Sequence, residues 1–111
     1  MTMAALPRPE AKRLWTYDEM VAEMAETNLP VELWNGEIIM SPAPHPDHQE
    51  IVLSFAERLK AIITRGKLGK VYISPVDVVL TQHRTVQPDV LFVSTARLNI
   101  VTSRIDGVAD L

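Results

Sequence analysis

The spacing of apolar residues changes several times along this chain, and each change marks an element. Thr16-Tyr17-Asp18-Glu19 is a capping-box pattern, in which the Thr16 hydroxyl caps a helix and Glu19 reaches back to it. Met20, Val21, Met24 and Ala25 follow at helical spacing. They predict a short helix from about Tyr17 to Glu26, stopped by Asn28 and Pro30. Val31–Trp34 and Glu37–Met40 then flank Asn35-Gly36. That pair between apolar segments predicts a hairpin, because both central residues of a type I′ turn need positive φ. Pro42, Pro44 and Pro46 make the next segment an extended loop.

Pro46 or Asp47 opens the longest helix, expected to reach about Arg65. Ile51, Phe55, Leu59 and Ile62 form one stripe, widened by Val52, Ala56 and Ile63, with Glu50, Glu57, Arg58 and Lys60 off it. Gly66 and Gly69 punctuate its end, where Arg65, Lys67 and Lys70 suit the helix dipole. Lys70–Leu80 is rich in β-branched residues and predicts a strand. Thr81–Arg84 reads as a turn and Thr85–Val93 as a strand returning beside the first. Ser94–Asn99 fits a helical turn, while 100–111 shows no pattern. The resulting order is helix, hairpin, long helix, hairpin. It predicts an α/β (α+β) domain with a mainly antiparallel or mixed sheet packed against the long helix. The apolar patch Met3–Leu6 is broken by Pro7 and Pro9, so 1–15 reads as a flexible arm and 16–111 as one domain.

Composition narrows the chemistry. Hydrophobic residues are 47% of the 111 and aromatics 5%, so the core must rest on Val, Ile, Leu and Met. The absence of cysteine removes disulfides, thiolate zinc sites and cysteine nucleophiles together. No run approaches the ~18 apolar residues of a spanning helix, and the first fifteen residues lack a secretory apolar stretch. The expectation is a cytoplasmic protein with no membrane partner. A net charge of −3 speaks against a broad DNA-coating face, less so against a nuclease that needs its own acidic cluster.

Three positions stand out. Asp89 lies in Val86-Gln87-Pro88-Asp89-Val90-Leu91-Phe92-Val93, where both faces of the expected strand turn apolar beyond the carboxylate. A charge entering such a region needs a cation or a donor cluster; the ordinary alternative is a strand-start Asp held by turn amides. Glu32 alternates away from Val31 and Leu33, so it falls on the less buried face and reads by default as a solvated glutamate of an edge strand. His45-Pro46-Asp47-His48 places two histidines three apart. They are a weak zinc signal without a third ligand at recognisable spacing. Arg58, Lys60, Arg65, Lys67 and Lys70 suit phosphates or, more simply, a solvated face. No phosphate-cradling glycine loop or nucleophile elbow is present.

Taken in order, several segments resemble the Uma-two family of endonucleases, a branch of the PD-(D/E)XK nuclease superfamily. They are Thr16-Tyr17-Asp18-Glu19, Val31 to Glu37, Met40-Ser41-Pro42-Ala43-Pro44, His48, Ser74-Pro75-Val76-Asp77-Val78, Gln87-Pro88-Asp89-Val90 and Gly107-Val108-Ala109-Asp110-Leu111. The resemblance implies a restriction-endonuclease-like core, with DNA as substrate of the intact domain and Mg²⁺ (or Mn²⁺) as cofactor. It casts Asp89 as a metal ligand, Glu32 and His48 as supporting catalytic positions, and Asp110 as a further candidate metal ligand, with Ala109 in place of the usual proline. The family's second glutamate and its lysine come after the position of Leu111. The expectation is therefore the N-terminal part of such a domain, inactive alone. The alternative is a non-catalytic remnant that binds a partner or itself as a homodimer.

Overall fold

The computed structural model describes residues 13–25 and 27–111. Most of the arm expected over 1–15 lies outside them.

The first helix, α1 (Tyr17–Glu23), starts as its capping box dictates. Thr16 Oγ1 accepts the Glu19 amide at 3.3 Å, and Glu19 accepts the Thr16 amide at 2.9 Å. It ends at Glu23, with Met24 as its cap, short of the expected Glu26. Met20 is its one buried residue, so no packed face holds a further turn in place. The strands β1 (Val31–Trp34) and β2 (Glu37–Met40) form the expected hairpin. Asn35 (φ 50°) and Gly36 (φ 82°) supply its left-handed turn. A Cβ on Gly36 would also stand 3.0 Å from the Leu14 backbone, so glycine is required there twice over.

The long helix α2 (Pro46–Arg65) runs over the expected range, with Pro46 in its first turn and His45 as its cap. Its inner face differs from the simplest reading of the stripe. Ala56 and Ile63 are buried and Val52 and Leu59 partly so, whereas Ile51, Phe55 and Ile62 are exposed. An apolar band more than a third of the way round a helix states that one side is buried without fixing its centre. At the helix end Gly66 stays right-handed and Lys67 takes the left-handed position (φ 52°).

The second hairpin exists in connectivity but is cut in two. The strands β3 (Gly69–Ile73), β4 (Val78–Thr81), β5 (Arg84–Val86) and β6 (Val90–Ser94) pair antiparallel as β4–β5 and β3–β6. Lys70–Leu80 and Thr85–Val93 were each expected to be continuous. Pro75 and Pro88 interrupt them, since a proline has no N–H to give the ladder. The halves join different sheets. One is five-stranded, in the order β2-β1-β5-β4-β7, and the other is the pair β3-β6. A 3-10 segment (Thr95–Ile100) follows where a helical turn was expected. The short strand β7 (Ile105–Asp106) lies parallel to β4, in a region without sequence pattern. The result is an α+β fold with α2 packed along β3.

Two apolar clusters hold it. Val78, Leu91, Val93 and Ile105 join β4, β6 and β7. Met20, Val31 and Leu33 fasten α1 to β1. Among the described residues no helix is long and apolar enough to cross a membrane.

Candidate functional site

The cut between the two sheets gathers three of the residues that the sequence singled out, Glu32, His48 and Asp89. Gln87-Pro88-Asp89 links β5 to β6, and Ser74–Asp77 links β3 to β4 beside it. The Ser74 amide donates to the Asp89 carbonyl at 3.0 Å, so the two connections are tied.

Asp89 stands one residue before β6. Its side chain is 58% exposed, and its Oδ2 lies 3.2 Å from His48 Nε2 in the first turns of α2. The alternation beyond it is as expected, with Leu91 and Val93 buried. The expected loss of hydration at Asp89 itself is not found. Because Pro88 ends the ladder, the chain turns before it enters the core, and the carboxylate stays at the opening in solvent.

Glu32, unlike Asp89, is held by two donors, and its strand β1 lies between β2 and β5 rather than at the expected edge. One carboxylate oxygen accepts the Gln87 backbone N–H at 2.7 Å and the other accepts Trp34 Nε1–H at 2.9 Å. Gln87 carries the link onward, its Nε2 donating to Asp77 Oδ1 at 2.7 Å. Asp77 Oδ2 in turn accepts the Tyr17 hydroxyl at 2.9 Å, and the Arg104 guanidinium lies 4.6 Å from the Tyr17 ring centre. Partial burial, together with the Asp77 carboxylate, pushes the Tyr17 phenol up to about 12. The Gln87 Oε1 is buried without a partner among the described residues. This brace pins the residue two before Asp89 from two sides, through β1 and through α1.

Gln87, Asp77 and Tyr17 carried no assigned role in the sequence. The signal that marked Asp89 also marks the first two, since each is a polar residue in an apolar run near a proline (Pro75 or Pro88).

Asp110 is elsewhere. It accepts the Ser94 amide at 2.7 Å and pairs with Arg97 at 3.0 Å. The Ser94 amide and the Arg97 guanidinium hold its carboxyl below the usual carboxylate range. Ser94 is the last residue of β6, and Asp89 precedes the first, so the strand separates the two candidate metal ligands. His45 Nδ1 accepts the Asp47 amide at 3.2 Å as a helix cap, which explains it without zinc. Among the described residues, no group of three His, Asp or Glu side chains comes together as a cation site requires.

A hard divalent cation prefers six or more oxygen ligands. The carboxylates of Glu32, Asp77 and Asp110 are taken by protein donors, leaving Asp89 beside an imidazole. The described residues do not make a complete Mg²⁺ site; they offer one open carboxylate oxygen and its neighbour.

Residues 16–109 match the model of the Uma2 family, described as "putative restriction endonuclease". No curated protein matches the chain.

Proposed function

This chain belongs to the Uma2 family, and from that premise we propose that it is a nuclease-type domain whose reacting edge is Asp89 with His48. The substrate class is a nucleic-acid phosphodiester. The observation that carries the reading is the Asp89 carboxylate, which is held at a junction of two sheets, open to solvent and touched by one imidazole. Asp110, by contrast, is held by the Ser94 amide and the Arg97 guanidinium. The Glu32–Gln87–Asp77 brace is the positioning element, since it fixes the backbone just before Pro88-Asp89.

A divalent cation in such domains polarises a phosphoryl oxygen. Asp89 would supply one ligand to such a cation, and His48 would steady that carboxylate. With only these donors a cation would be held weakly, and hydrolysis by the described residues alone is not expected. Under this reading Glu32 shapes the site and Asp110 does not touch the metal. A purely binding role is the second reading, favoured by the missing third donor.

Mn²⁺ distinguishes the two readings, because its paramagnetism broadens nearby nuclei even when binding is weak. The His48 ring signals should broaden in the native chain and stay sharp in Asp89→Ala. Equal sharpness in both would overturn the site. A plasmid-cleavage assay with Mg²⁺ or Mn²⁺ runs alongside. Cleavage that vanishes in Asp89→Ala would show that the donor set is complete after all, while broadening without cleavage is the expected result.

A further inference from the structure

An open, largely apolar groove runs along α2, bordered by Glu50, Ile51, Ser54, Phe55, Arg58 and Ile62. Ile51 is 68% exposed, Phe55 48% and Ile62 61%. At about 100° per residue these three fall within roughly 40° of one another on the helix. They form a stripe next to the buried line of Val52, Ala56 and Ile63, facing outward. Exposed apolar patches on stable monomers rarely exceed a few hundred Å², and three large side chains in one line approach that.

The polar positions beside the stripe are ordered by sign. On one flank lie Asp47, Ser54, Arg58 and Arg65, acid first and base last. On the other lie His48, Val52 and Leu59, with no carboxylate. Arg58 and Arg65 make no ion pair among the described residues. When two copies of a helix pack about a two-fold axis perpendicular to their length, like flanks meet in reverse order. Asp47 then faces Arg65 of the other copy, Ser54 faces Arg58, and Ile51 falls beside Ile62. The helix dipoles also oppose each other, which is favourable. In a parallel pair unlike flanks would meet, and the arginines would find Val52 and Leu59 instead of a carboxylate.

We propose that the outer face of α2 is the interface of an antiparallel homodimer, with Ile51, Phe55 and Ile62 as its apolar seam and Asp47–Arg65 pairs at its two ends. The proposal does not depend on the nuclease reading. One twenty-residue helix is about 30 Å long. A single helix pair of that length buries less than the ~1,200 Å² of standard stable complexes, so the dimer should be a weak, concentration-dependent one.

Sedimentation equilibrium over the micromolar to millimolar range tests this on the native chain. A monomer–dimer equilibrium is expected. Phe55→Asp and Ile62→Asp should each weaken it by about tenfold or more, with far-UV circular dichroism unchanged, since both side chains already face solvent. Asp47→Arg and Arg65→Asp should each weaken it more modestly, and the double variant should recover most of the loss. A chain that is monomeric throughout overturns the proposal and leaves the face to a different protein. So does open-ended aggregation, or a dimer indifferent to Phe55 and Ile62. Failure of the double variant to recover overturns the antiparallel arrangement.

Discussion

At the residue scale, the polar side chains between the sheets differ by what their neighbours give them. The carboxylates of Glu32 and Asp77 are each met by two donors, while Asp89 meets a single imidazole. Hydrogen bonds to charged acceptors contribute about 1.5–3 kcal/mol where partly shielded from water, so the brace is firmly held while the Asp89 carboxylate is left open. Tyr17 gives a pH signature of the brace. Its folded-state pKa is about 12 against an ordinary 10.0, so the folded chain holds this proton more tightly than the unfolded one. Stability from this source is complete below pH 10 and is lost as pH rises toward 12. Urea unfolding followed across that window should show the loss in the native chain and a smaller one in Tyr17→Phe. One of the two tyrosines should titrate near pH 12 in the folded protein.

At the element scale, what was legible in the sequence was what is decided locally. The Thr16–Glu19 box, the Asn35-Gly36 turn and the start and end of α2 each depend on residues within four positions, and each stands where its pattern put it. The side of α2 that faces inward depends on β3, which no periodicity within α2 encodes. The cut strands were legible in part, since Pro75 and Pro88 are visible in the sequence, yet the assignment of their halves to separate sheets is tertiary. The two-residue strand β7 left no trace because its partner β4 is remote and parallel. The nearness of His48 and Asp89, far apart in sequence, came through resemblance alone. That resemblance also singled out Asp110, whose local partners Ser94 and Arg97 hold it at the opposite end of β6 from Asp89. The weight carried by β7 rests on Ile105, which is 1% exposed among Val78, Leu91 and Val93. Ile105→Ala should cost about 2–5 kcal/mol in chemical denaturation. A cost under 1 kcal/mol would mean that the segment is not part of the core.

At the scale of the whole molecule, the interrupted hairpin sets an order of assembly. The Ile73↔Val90 pairing encloses residues 74–89 if it forms first, a closure whose entropy rises with the logarithm of its length. Once β4 and β5 have zipped to Val78↔Val86, only the links 74–77 and 87–89 remain to be gathered, and the closure becomes far less costly. The turn at Gln82-His83 is therefore the natural starting point, and β3–β6 the late addition. Substitutions that disfavour this turn should slow refolding in stopped-flow measurements, whereas Val93→Ala should act mainly by hastening unfolding. Because Asp89 sits on one of those two late links, the candidate reacting edge becomes organised only in the last stage of folding, and it is among the first parts to be lost when the chain opens.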